Sequence, residues 1–155
     1  MEAIDIVQKW VEERKTDLIA NYNQKGLKAS GAFESGLKVS KTETSVVMTA
    51  PQHFGAMIYG RKKTTGSGDG SLKKVILKWI DDKGIKPYDK ITNESLAFLI
   101  ARKIHNEGIT VPNRFNDGKL YSDTFTQEKF DELNKLIAND VILTIKQQTK
   151  ETWQQ

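Results

Sequence analysis

Residues 59–85 read YGRKKTTGSGDGSLKKVILKWIDDKGI, and the punctuation of this stretch decides the fold. Tyr59-Gly60-Arg61-Lys62-Lys63 is an aromatic–glycine–basic cluster, and Thr64 to Gly70 is a flexible Gly/Ser loop. An amphipathic helix follows. Ser71 is the expected N-cap, because its hydroxyl can accept from an unpaired backbone N–H of the first turn. Leu72, Val75, Ile76, Trp79 and Ile80 recur at the spacing of one buried helical face. Gly84 is the expected stop, as a residue that tolerates left-handed backbone.

Upstream, residues 2–25 read as a first helix, with Ile4, Val7, Val11, Leu18 and Tyr22 near one stripe and Trp10 and Ile19 beside it. Glu12, Glu13, Arg14 and Lys15 are assigned to its wet side, and Gly26 stops it. Residues 29–36 form a turn or a single helical turn, with Ser30 as cap and Phe33 pointing inward. Leu37–Ser40 and Ser45–Ala50 read as short strands joined by a hairpin at 41–44. His53–Tyr59 is either a third strand or an irregular segment.

Downstream, Ile85–Tyr88 is a linker, since proline disfavours helix at the residue before it. Thr92 caps a helix over 93–107, whose Leu96, Ala97, Phe98, Leu99, Ile100, Ala101 and Ile104 make it the expected central core element. Gly108 ends it. Residues 109–125 form a long loop around Asn116-Asp117-Gly118, with Phe115, Leu120, Tyr121 and Phe125 read as exposed; loops of this length are usually functional or mobile. Thr126 opens a last helix lined by Phe130, Leu133, Leu136, Ile137, Val141 and Ile145. The expected class is α+β: an N-terminal helix, a small antiparallel sheet of two or three short strands, two central core helices, the long loop and a C-terminal helix. One domain spans 1–146, and a polar tail over 147–155 carries Trp153, which suggests docking onto this domain or a neighbouring copy.

The 155 residues carry a net charge of +4. Residues 61–103 hold eleven Lys/Arg against five acids, a local basic bias that can attract DNA, a membrane surface or an acidic protein, or simply solvate a helix face. Cysteine is absent, which removes disulfides, thiol nucleophiles and thiolate metal sites. No apolar run approaches the roughly 18–20 residues of a bilayer span, and Met1–Asp5 lacks the basic and apolar regions of a signal peptide. A soluble protein kept inside a cell is expected.

Catalytic patterns fail on spacing. A P-loop needs Gly-Lys-Ser/Thr after four intervening residues, whereas from Gly66 the chain reaches Ser71 and Leu72. His53 and His105 have no paired carboxylate at metal-ligand spacing. Residues 113–118 put Phe115 where a calcium loop needs an oxygen. Asp81-Asp82 and Glu12-Glu13 are adjacent pairs that diverge by about 100° on a helix. No catalytic, cofactor or metal residue is expected.

The order of these signals resembles the head–tail joining and tail-completion (minor tail component, neck) proteins of tailed bacteriophages. The stretches that carry the resemblance are the N-terminal helix leading into Leu27-Lys28-Ala29-Ser30-Gly31, the short strand region, Tyr59-Gly60-Arg61-Lys62, and the helix ending Lys78-Trp79-Ile80-Asp81-Asp82-Lys83-Gly84-Ile85. Residues 96–104 and Glu107-Gly108-Ile109 look like the family's second core helix and its glycine stop. Most of residues 1–125 is covered; Ile58-Tyr59 stands where the family carries an acidic residue before Gly-Arg. The resemblance implies a small α+β virion subunit that catalyses nothing and needs no cofactor. It implies a homo-oligomeric ring between portal and tail, with other neck, portal-adaptor or tail proteins as partners, possible nonspecific DNA contact in the lumen, and no membrane. Expected assembly contacts are Arg61, Lys62, Lys63, Gly66, Gly68 and Gly70 in the glycine loop, Phe115, Tyr121 and Phe125 in the long loop, and Trp153. Three other readings stay open: a nonspecific nucleic-acid-binding protein using the basic 61–86 segment, a small cellular regulatory or toxin-type domain, and an unrecognised enzyme.

Overall fold

Helix α1 (Ala3–Gln24) buries Trp10, Arg14, Leu18 and Tyr22, one residue every four, and that stripe is the wall on which the rest of the chain is built. The computed structural model describes residues 3–88 and 90–153, and of Thr152 the backbone only. Glu2, the expected first residue of α1, lies outside the described residues. Gly26, at φ +67°, supplies the left-handed residue just beyond the helix end. Arg14 corrects the assignment of 12–15 to the wet side. Its side chain is 7% exposed, its guanidinium lies 5.5 Å from the Trp10 ring centroid, and it pairs with Asp17 at 3.0 Å. The aliphatic stem thus continues the apolar stripe while the head reaches a carboxylate.

The short helix α2 (Ala32–Gly36) drives Phe33 inward as expected, 4.2 Å ring to ring from Tyr22. Strands β1 (Lys38–Lys41) and β2 (Val46–Thr49) then form the antiparallel hairpin, with Val39 opposite Met48. Its turn is held by the Thr42 hydroxyl, which accepts from the Ser45 N–H at 3.0 Å. The half-buried Val39, Val46 and Met48 share the face toward α1.

His53–Tyr59 is neither strand nor irregular; it is helix α3. Phe54, Met57 and Ile58 satisfy the helical 3, 4 spacing as well as Phe54, Ala56 and Ile58 satisfy alternation, so seven residues cannot distinguish the periods. The helical choice turns both Phe54 and Met57 onto the core of Leu18, Tyr22, Phe33, Leu37 and Leu120.

Helices α4 (Ser71–Lys83) and α5 (Asn93–Glu107) pack along one another. Ser71 is the first residue of α4 and not its cap. The Asp69 carboxylate accepts from the Ser71 N–H at 2.9 Å, and the Ser71 hydroxyl first, then this N–H, hold the Asp69 carboxyl below its ordinary value. Gly84, at φ +63°, ends α4, and the Thr92 hydroxyl caps α5 by accepting from the Ser95 N–H at 3.2 Å, both as expected. Burial departs from expectation. Val75 and Trp79 are exposed, α4 buries Ile80 with Leu72, Ile76 and Leu77 half covered, and α5 buries only the small Ala97 and Ala101. The central core therefore lies on α1 rather than on α5.

The long loop is pinned. Helix α6 (Leu120–Thr124) sits inside it, and Leu120, read from sequence as exposed, is fully buried in the core. Helix α7 (Gln127–Thr152) starts at the Thr126 cap, packs on α1 through its first half and runs on through residues 147–152, the stretch set apart by composition as a tail. Gln154 and Gln155 of that tail lie outside the described residues. Val141 and Ile145, expected along the apolar side of this helix, are exposed, as are all residues from 141 to 151.

Candidate functional site

Two surfaces follow from the sequence, the glycine loop and the long loop, and local hydrogen bonding defines both. Arg61 and Ile109 form an antiparallel bridge, with N–H to carbonyl distances of 2.9 and 2.7 Å, which ties the basic cluster to the chain leaving α5. Two glycines permit that approach. A Cβ on Gly60 would collide with the Ile109 carbonyl oxygen and one on Gly108 with the Arg61 carbonyl oxygen, and both residues have positive φ. The loop then returns along the end of α5: the Thr64 N–H donates to the His105 carbonyl at 2.8 Å, and His105 Nε2 lies 2.9 Å from the Gly66 carbonyl. Arg61, Lys62, Lys63, Gly66, Gly68 and Gly70 are all exposed. They form an accessible cationic ribbon on a tethered frame.

Asparagine and aspartate side chains shape the long loop. Asn113 Oδ1 accepts from the N–H groups of Phe115 and Asn116 at 2.9 and 3.1 Å, the local pattern that lets these residues replace a backbone turn. Asn116 donates to the Met57 carbonyl at 2.7 Å and so docks the turn on α3. Lys25, at the end of α1, reaches Asp117 at 2.8 Å and Asp123 at 2.7 Å. The Lys25 hydrogen bond, more than any other contact, holds the Asp117 carboxyl below its ordinary range, and the two carboxylates push Lys25 up.

The aromatic residues of this loop divide. Phe115 is 74% exposed with the Arg114 guanidinium 4.3 Å from its centroid, and Tyr121 is partly exposed. Phe125 is half-buried, stacked 4.7 Å from Tyr121 and tilted at 6.3 Å from Trp10, so its ring serves this chain's own packing. Trp153 is exposed at the end of α7, far along the helix from the α1 contact.

Sequence reading missed the larger apolar surface. Phe98 and Leu99 project from the outer side of α5, and Leu136, Val141, Ile142, Leu143 and Ile145 are exposed along α7. The signal was present as apolar runs, but a run does not say whether its own chain or another covers it. Between α1 and α7 lies a groove of about 320 Å³ containing Trp10 and Leu143. A second, of about 480 Å³, lies between α4 and the Tyr22, Phe33 and His53 rings. Ser30, His53 and Asp82 all line the second groove, but no hydrogen bond joins them, and no group of three or more His, Cys, Asp or Glu able to hold a metal occurs among the described residues. Among those residues no helix is long and apolar enough to cross a membrane. Comparison with protein-family models, with curated proteins and with solved structures finds no match.

Proposed function

We propose that this chain is a structural subunit of a tailed-bacteriophage virion, a ring component of the head–tail interface that joins portal to tail and passes DNA. The reading rests on the order of the N-terminal helix, hairpin, Gly-Arg-Lys cluster and α4–α5 pair. The observation that carries it is the amount of apolar side chain left facing solvent on α5 and α7. Large exposed apolar patches mark interaction sites in soluble proteins, and a subunit that works by assembly needs such surfaces without a catalytic cleft. In this account the exposed ribbon 61–70, with Phe115, Tyr121 and Trp153, supplies contacts to neighbouring subunits or adjoining rings, and Phe125 supports them from within. The subunit belongs to the virion and has no enzymatic activity. An affinity label placed after Gln155 and imaged on particles should decorate the neck; decoration elsewhere, or none, overturns the assignment.

The exposed cations Arg61, Lys62 and Lys63 favour a second reading, nonspecific DNA binding. Phosphate contacts release counterions, so that reading requires duplex affinity that falls steeply with salt and weakens when these three residues are replaced by alanine. Duplex binding without either response would refute it.

A further inference from the structure

Two unlike apolar faces lie on separate helix pairs of this chain. The first, the knob, is formed by Phe98 and Leu99 of α5, 51% and 52% exposed where they border a shallow hollow of about 350 Å³. Lys73 and Glu94 line the same surface, and Arg102 lies one turn beyond Phe98, so cations outnumber acids there. The second is the groove between α1 and α7, whose apolar walls are Ile6, Trp10, Leu136 and Leu143. Glu13, Asp140 and Lys9 edge it, so acids outnumber cations. Leu136 and Leu143 are 51% and 64% exposed, which shows that the groove is not filled from within. The same contrast holds more widely: residues 61–103 carry eleven cations against five acids, whereas residues 127–140 carry Glu128, Asp131, Glu132 and Asp140 against Lys129 and Lys135.

We infer that the α5 knob of one copy of this chain seats in the α1–α7 groove of the next. The occupant is a second copy because both halves of the contact are on this chain, with matched apolar character and opposite charge excess. Buried apolar side chains at the centre of an interface carry most of its binding energy, and complementary charge fixes its orientation. A contact between unlike faces is head-to-tail. It closes into a ring where the rotation per copy allows and otherwise continues as a filament. The inference rests on the self-assembly reading above and supplies its subunit contact.

The test uses the full-length chain in sedimentation velocity over a concentration series. Phe98→Glu places an acid on the knob, opposite an acidic groove, and Leu143→Lys places a cation in the groove, opposite a basic knob. Both positions are exposed, so unchanged circular dichroism and melting are expected. Each variant alone should associate about thirtyfold more weakly than the unmodified chain, or not at all, the effect of losing one interface hot spot. Mixed in equal amounts, the two should form a heterodimer and nothing larger, because one retains an intact groove and the other an intact knob. Arg102→Glu, which leaves the apolar contacts in place, should also weaken association and serves if either first variant fails to fold.

Variants that assemble like the unmodified chain overturn this interface while leaving the ring reading standing. A mixture that stays monomeric also overturns it, since an intact knob and an intact groove are then present together without binding. Open filaments blocked by both variants would support the interface and refute the ring. An unmodified chain that remains monomeric throughout refutes both.

Discussion

Leu120 shows most clearly how the long loop is held. Its sequence context, between Lys119 and Tyr121 in a polar stretch, suggests an exposed loop residue, yet it is fully buried beside Leu18, Tyr22, Phe33 and Leu37. Leu120→Ala removes three buried carbons, worth about 2.4 kcal/mol at ~0.8 kcal/mol per methylene. The cavity left behind raises the expected loss to about 3–4 kcal/mol, within the usual range for buried leucine. For a domain of this size each kcal/mol lowers the melting temperature by about 2–4 °C, so a fall of about 6–16 °C is expected by calorimetry. Phe115→Ala, at an exposed site in the same loop, should change stability by less than about 0.5 kcal/mol. Similar shifts for the two variants, or a fall below about 2 °C for Leu120→Ala, would refute the claim that α6 anchors the loop in the core.

Gly108→Ala should destabilise by about 2 kcal/mol or more, combining a left-handed backbone penalty of about 1–2 kcal/mol with the clash against the Arg61 carbonyl; equilibrium urea unfolding measures it. Arg14→Met should be neutral or stabilising by up to about 4 kcal/mol, because the Arg14 Nε and Nη1 are buried without an acceptor and a well-packed apolar replacement avoids their desolvation. Asp17→Ala should instead destabilise, since it strands the buried cation; thermal melts of the two variants should move in opposite directions or differ clearly in size. The Lys25 tether should loosen in acid. A carboxyl whose folded value is depressed contributes stability above its unfolded value, near pH 3.9, and loses it as pH falls through the folded value. Amide exchange over 113–119 should therefore lose protection below about pH 4 in the native chain, and Lys25→Met should already lack that protection at neutral pH.

Helix ends were the most legible part of this chain. Gly26, Gly84, Thr92 and Gly108 each act through local backbone chemistry, and the structure places each at the expected terminus. The hairpin likewise forms within a residue of its expected limits at Lys38–Lys41 and Val46–Thr49. Short elements were less legible. In His53–Tyr59 the two periodicities coincide, and only the tertiary preference for placing Phe54 and Met57 together on the core separates them. Arg14 was misread because charge signals a wet face, whereas its long stem and the Trp10 ring make a dry one.

The surface was misread for a different reason. Phe98, Leu99, Val141 and Ile145 carry the periodic apolar signal of a core, and the structure leaves all four exposed. Periodicity reports that a face seeks cover without saying which chain provides it. That ambiguity bears on function, because faces that read as core and are not buried are the surfaces an assembling subunit would use. By contrast, the loop position of Phe125 suggests an assembly contact, and its contacts with Tyr121 and Trp10 are visible only in the folded chain.

Negative-stain electron microscopy of the purified full-length chain tests the central claim most directly. The account predicts closed rings of uniform diameter around an open lumen. A field of isolated 17.5 kDa particles at every concentration would contradict it.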